Sequence, residues 1–183
     1  GLGDRITDPF AHWTRISYLL TQPYCMIKYI QLLLVPMGQS VDHFVPPSLE
    51  ILDLRTLIGL TFLSWITFLT YLFGKKFPAY SKWIWFSFLW FFITLSPTSS
   101  IFPINDAMTE RRLYLASWGF FLAVGVFYKL IFSNSKRILS FMLIHILILS
   151  LHSWKRSHLF ADPISPWLEA AQIYPKNYRA QYN

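Results

Sequence analysis

The 183-residue chain is 54% hydrophobic and 19% aromatic but only 14% charged, whereas a soluble domain carries about 25% charged residues. Its net charge of +7 lies in short clusters between apolar runs: Lys75 with Lys76, Lys82, Lys136 with Arg137, Lys155 with Arg156. This excludes a soluble globular domain and argues against a nucleic-acid binder, which needs a basic face interleaved with aromatics. Cationic loops between apolar segments instead orient a protein in a bilayer.

In chain order, Gly1-Leu2-Gly3-Asp4 shows no signal-peptide pattern and reads like the middle of a longer chain. Over residues 13–35, Thr14, Ser17, Thr21, Lys28 and Gln31 fall on one stripe at helical spacing. That predicts an amphipathic helix lying in the membrane interface, with a fifth span as the alternative. Pro23 is expected to kink or break it. Cys25 is the only cysteine, which rules out an intrachain disulfide and a thiolate metal cluster. Its neighbours Tyr24, Met26 and Ile27 predict a buried, inert thiol.

Four spanning segments follow, at about 55–73, 80–95, 113–132 and 138–154. Two are shorter than the roughly 20 residues of an untilted span. Flanking Tyr80, Trp83, Trp154 and nearby lysines are expected to anchor the short ones at the headgroups. The loops alternate in charge. Segment 74–82 carries three Lys and 133–137 carries Lys136 and Arg137, whereas 36–53 has no Lys or Arg, and Asp106 and Glu110 offset Arg111 and Arg112 in 96–112. The first two loops are therefore expected in the cytoplasm, and 36–54, 96–112 and the tail after Trp154 on the periplasmic or lumenal side. Lys155 and Arg156 oppose this weakly.

The tail changes character at Asp162-Pro163, passing through Pro166-Trp167-Leu168-Glu169-Ala170-Ala171 to Tyr174-Pro175-Lys176-Asn177-Tyr178-Arg179-Ala180. A helix closed by Pro-x-Asn before a second helix start is how one tetratricopeptide unit hands over to the next. One such unit cannot bury its own apolar face, so the chain is expected to continue past Asn183. The predicted fold class is an all-α membrane protein. Residues 1–54 form an interfacial helix and outer loop, 55–154 about four transmembrane helices, and 155–183 a linker and the start of a tetratricopeptide array.

Chemistry is sought in the polar clusters beside the membrane. Glu110, Arg111 and Arg112 stand at the mouth of a span, where charge is costly unless paired or used. Guanidinium forks there suit phosphate oxygens, as in a lipid-linked donor. The plainer alternative is a Glu–Arg pair anchoring the helix. Asp42 and His43 are candidates for contacting a sugar or an acceptor, against a simple Asx turn. His145 and His152 share a helix face, yet a haem or metal would need a ligand from another helix. Interhelical hydrogen bonding for His145 and an interfacial place for His152 are expected instead. No Gly-rich phosphate loop, nucleophile elbow or metalloprotease motif occurs, and no metal or cofactor is expected.

The stretch Glu110-Arg111-Arg112-Leu113-Tyr114-Leu115-Ala116-Ser117-Trp118-Gly119-Phe120 resembles the transmembrane-and-tetratricopeptide (TMTC) O-mannosyltransferase family and its bacterial relatives. Ala116 stands where that family usually has Pro. Tyr18 to Gln22, Tyr29 to Pro36, Gln39 to His43 and Pro46-Pro47-Ser48 resemble the segments around the family's preceding loop. The resemblance implies a GT-C glycosyltransferase that takes a sugar from a polyprenyl phosphate on the non-cytoplasmic face. It also implies that the acidic catalytic loop lies outside these residues, so no catalytic residue is expected here. Glu110, Arg111 and Arg112 would then recognise the donor phosphate or frame its pocket. The implied partners are membrane lipids, the polyprenyl-phosphate donor, and a protein bound through the tetratricopeptide segment or within a membrane complex. The rivals are a non-catalytic accessory subunit derived from this family and, third, a haem- or quinone-binding subunit.

Overall fold

A computed structural model describes residues 13–99, 103–104, 106–132 and 134–182. The Gly1 to Asp4 start, and Ser100, Ile101, Phe102, Asn105 and Ser133 of the expected loops, lie outside the described residues. Every regular element among the described residues is helical. These are α1 (Arg15–Leu34), α2 (Leu54–Lys76), α3 (Ser81–Leu95), α4 (Leu113–Ile131), α5 (Ser135–Leu159), α6 (Ser165–Ile173) and α7 (Tyr178–Tyr182). Single 3-10 turns at Pro78–Tyr80 and Glu110–Arg112 lead into α3 and α4.

Among the described residues three helices are long and apolar enough to cross a membrane: α2, α4 with the turn before it, and α5. The predicted span at 80–95 does form a helix, but α3 has only 15 residues. At 1.5 Å per residue that is about 22 Å, short of a hydrocarbon core about 30 Å thick. Pro78 before it and Pro97 after it bound its growth. The expectation of four full spans is corrected to three.

Local chemistry sets the helix ends. The Asp53 carboxylate accepts from Arg55 N–H at 2.9 Å to cap α2, and Lys75 and Lys76 complement the dipole in its last turn. Asn134 caps α5 by accepting from Lys136 N–H at 2.9 Å. The long helices turn apolar surface outward. In α2 only Thr56, Gly59 and Gly74 are buried, and in α5 none is. Trp65, Phe68, Leu143 and Ile146 are each more than half exposed. So much contiguous apolar surface is tolerable in lipid and not in water.

The interior is organised around α1. Tyr18, Cys25 and Tyr29 are fully buried and pack with Leu95, Met108 and Ala116. The polar stripe of α1 splits. Ser17 and Thr21 turn inward, where the Thr21 hydroxyl donates to Ser17 carbonyl at 2.7 Å and accepts from Ser48 N–H at 2.9 Å. Gln31 stays exposed, and so do Ile16, Leu19 and Leu34. Nor does Pro23 break the helix, which continues to Leu34. The Thr56 hydroxyl of α2 donates to the Leu20 carbonyl at 3.1 Å, beside the carbonyl that Pro23 leaves without its amide.

Two glycines allow the helices this proximity. A Cβ on Gly59 would lie 2.6 Å from Pro23 of α1, and one on Gly119 would lie 2.7 Å from Ser87 carbonyl of α3. Small residues are what close helix contacts in membranes require.

The helices alternate in direction, so segments 74–82 and 134–137 lie at one end of the bundle. Segments 36–53 and 106–112 and the tail helices α6 and α7 converge at the other.

Candidate functional site

The converging end gathers most of the candidate residues. The Glu110–Arg112 turn sets Glu110 Oε1 where it accepts from Ser40 N–H at 2.7 Å and from His43 Nε2 at 2.9 Å. His43 Nδ1 lies 3.1 Å from the Tyr174 hydroxyl in the tail, so the imidazole bridges Glu110 and Tyr174. Burial and the nearby Glu110 charge raise the Tyr174 pKa, so this hydroxyl stays protonated.

Asp42 is buried, with 4% exposure. Burial alone would raise its pKa, but the bonds from Arg179 and Asn177 outweigh burial and hold it below the usual carboxylate range. Asn177 Nδ2 donates at 3.1 Å and Arg179 Nε at 2.7 Å, and Arg179 Nη2 donates to the second carboxylate oxygen. Bonding to Asp42 in turn pushes the Arg179 pKa above its already high value. The other arm of Arg179 reaches Asp106, which also pairs with Arg111 at 3.3 Å. One guanidinium from the tail thus ties two interhelical loops together.

The three residues suggested for a donor phosphate separate in role. Glu110 is engaged by His43 and Ser40. Arg112 donates to Asp106 carbonyl at 2.8 Å and to Ala107 carbonyl at 3.4 Å, bracing its own loop. Only Arg111 remains largely open, its side chain 77% exposed on the rim of a cleft. Neither arginine is ion-paired to Glu110. The plainer Glu–Arg anchor is replaced by Glu110–His43 and Arg111–Asp106 pairs.

That cleft, about 690 Å³, runs between segment 36–42, the first turns of α4, the last turns of α5 and the tail. Gln39, Arg111, His152 and Arg156 make its rim polar, while Tyr114, Phe121 and Leu149 give it an apolar floor. A polar rim above an apolar slot is matched to an amphiphile. A second cavity, about 300 Å³ and almost wholly apolar, lies among α2, α3 and α4. His145 bonds across the α4–α5 pair, 3.0 Å from the Tyr128 hydroxyl. Among the described residues no three His, Cys, Asp or Glu side chains gather as metal ligands.

Sequence reasoning missed Tyr174, Asn177, Arg179 and Arg156. Arg179 meets Asp42 across 137 positions, and no local pattern carries such a pairing. Arg156 was within reach, because Leu149, His152, Ser153 and Arg156 repeat at helical spacing and make one face apolar below and polar above.

No family model matches the chain. A protein O-mannosyl-transferase of Caenorhabditis elegans is 25% identical across 184 aligned positions, covering 98% of this chain and 26% of that protein. The chain thus spans about a quarter of the length of the curated relative it matches. No solved structure matches.

Proposed function

We propose that this chain is the membrane part of a GT-C-type glycosyltransferase. It would move a sugar from a polyprenyl phosphate to a hydroxyl of a protein or glycan on the non-cytoplasmic face. The observation that carries the reading is the amphiphilic cleft beside Arg111, at the end of the bundle where the tail docks. Likeness to an O-mannosyl-transferase along 98% of the chain supports it. So does the placing of Lys75, Lys76, Lys82, Lys136 and Arg137 at the opposite end, which the positive-inside tendency puts in the cytoplasm. Arg156, which counted against that orientation, is ion-paired to Glu169.

In the reaction the sugar C1–O bond to phosphate breaks as the acceptor oxygen bonds to C1. The acceptor proton passes to a carboxylate supplied from outside these residues. Arg111 stabilises the departing phosphate with a planar guanidinium fork. Asp42, His43 and Glu110 hold the cleft wall, and α6 and α7 are the first tetratricopeptide-like unit, facing the acceptor.

The test is mannose transfer from a polyprenyl-phosphate donor to an acceptor peptide by the full-length protein. Arg111→Ala should lower kcat/KM about tenfold or more, the loss of one charge-assisted contact to the leaving group. Unchanged turnover at normal expression would sink this role for Arg111.

One observation favours an accessory, non-catalytic subunit: the carboxylates of Asp42, Asp106 and Glu110 are all already paired. The intact mass of the native protein separates the two readings. A mass matching these residues alone supports the accessory role, and a mass well above it supports the enzyme.

A further inference from the structure

The apolar cavity among α2, α3 and α4 runs lengthwise along these helices. Phe73, Ile84 and Leu130 line it toward the lysine end, and Ile30 of α1, Phe92 and Gly119 line it at the far end. The stretch of α3 from Ile84 to Phe92 is about 12 Å long at 1.5 Å per residue. The two hydroxyls on its walls are spent within their own helices. Thr70 donates to the Ile66 carbonyl at 2.9 Å and Ser87 to the Trp83 carbonyl at 2.7 Å. A slot of about 300 Å³ with such walls repels water and suits hydrocarbon.

At its mouth the chemistry changes. Ser81 and Trp85 lie about one turn apart on α3, both against Gly74 of α2. A Cβ on Gly74 would meet the Trp85 indole nitrogen at 3.0 Å and the Ser81 hydroxyl at 3.4 Å. Neither donor has a hydrogen-bond acceptor among the described residues. The Trp85 ring packs edge-on to Phe88, which lines the slot, so donors and slot follow one line of α3.

Cations surround this mouth. Lys75 and Lys76 come within a turn of Phe73, Lys82 lies just before Ile84, and Lys129 adjoins Leu130. All are exposed. Residues 54–105 and 111–161 contain no Asp or Glu, so no carboxylate of α2, α3, α4 or α5 neutralises them.

We propose that the slot and the cations at its mouth bind an anionic phospholipid. One acyl chain lies among α2, α3 and α4, and the headgroup phosphate meets Trp85, Ser81 and the lysines. The charge identifies the occupant. An uncharged lipid or an apolar helix would fill the slot and bring no anion to the donors, and a free anion would leave the slot empty. An anionic amphiphile matches both, as at other basic pockets between spans. The site lies at the opposite end of the bundle from the Arg111 cleft and does not rest on the glycosyltransferase reading.

The experiment is native mass spectrometry of the full-length protein, stripped of lipid in detergent and titrated with dioleoylphosphatidylglycerol or dioleoylphosphatidylcholine. One phosphatidylglycerol should be held at least about tenfold more tightly than phosphatidylcholine. Lys75→Gln with Lys76→Gln should weaken it about twentyfold, roughly fivefold for each cation near a headgroup. Trp85→Phe keeps the ring but drops the donor, and should weaken it about fivefold. Ala123→Phe, which fills the slot from an exposed position on α4, should weaken it more than about tenfold with every lysine intact.

Equal retention of the two lipids by the unmutated protein would overturn the site without recourse to any variant. Retention unmoved by Ala123→Phe would do the same, since surface lysines alone would then attract the lipid. So would full displacement by glycerol phosphate, which has a headgroup and no chain, or failure to hold either lipid, which would leave the slot to a helix.

Discussion

The two ends of the helical bundle solve the same problem in opposite ways. At the end of segments 74–82 and 134–137, charge has one sign. Lys75 and Lys76 lie near the rings of Tyr71 and Phe77, and Lys136 and Arg137 are exposed. At the other end both signs are present and, apart from the exposed Arg111, are buried or half-buried; they lock together in Asp42–Arg179–Asp106–Arg111 and Arg156–Glu169, and Glu110 is held by His43. Like charges in water need no partner and serve orientation, whereas charges shielded from water must be paired. The first end tolerates change, and the second holds a shape.

The sharpest way to break this contrast is to remove Asp42. Asp42→Ala leaves Arg179 and Asn177 without their shared acceptor. Loss of a partner from a buried pair costs about 3–5 kcal/mol. Arg179 is 43% exposed, so water screens part of this and the expected loss is about 2–3 kcal/mol. It should appear as release of the tail to limited proteolysis in detergent.

The same contact predicts a pH dependence. The folded pKa of Asp42 lies below its ordinary value of 3.8. Its stabilisation is therefore fully present above that value and is lost as pH falls through the depressed folded pKa. Tail protection measured by proteolysis should be flat from neutral pH down to about pH 5 and fail only in stronger acid. Failure near pH 6 would mean that another group holds the tail.

A mutation between the two ends should have a somewhat smaller effect. Gly59→Ala sets a methyl 2.6 Å from Pro23 backbone, which cannot move away as a side-chain tip would. Overpacking of this kind costs about 1–3 kcal/mol, read as a lower midpoint of thermal unfolding in detergent. A gain in stability would show that α1 and α2 are not in close contact.

The smallest effect belongs to the lysine end. Lys75→Gln with Lys76→Gln should change stability by less than about 0.5 kcal/mol. It should instead weaken orientation, scored by thiol labelling of cysteines placed in loop 74–82. A large loss of stability there would erase the distinction between the ends.

The bundle's apolar exterior was legible in the runs at 55–73, 113–132 and 138–154, each of which lies within a helix long enough to span or extends one residue past its end. A run of apolar residues carries its own evidence, because any window of it has the same preference for lipid. Helix α3 was legible as a helix but not in its role. Composition cannot show that 15 residues fall short once prolines bound both flanks. The stripe on α1 divides for a related reason. Small hydroxyls at helical spacing suit water and suit a tight helix contact equally well, and the neighbour decided for Ser17 and Thr21.

The candidate site was half visible. Glu110, Arg111, Asp42 and His43 stood out as charge beside a membrane, and they do sit at one end of the bundle. Their partners did not stand out, because Tyr174, Asn177 and Arg179 lie in a tail whose local pattern reports only helix and turn.

By itself the sequence determined that several segments are apolar enough to cross lipid and that one set of loops is cationic, since both follow from residue composition summed over short windows. Only the tertiary structure decided which charges neutralise one another and where α4 and α5 part. Those outcomes depend on distances between residues far apart in the chain, and no window of sequence contains both partners.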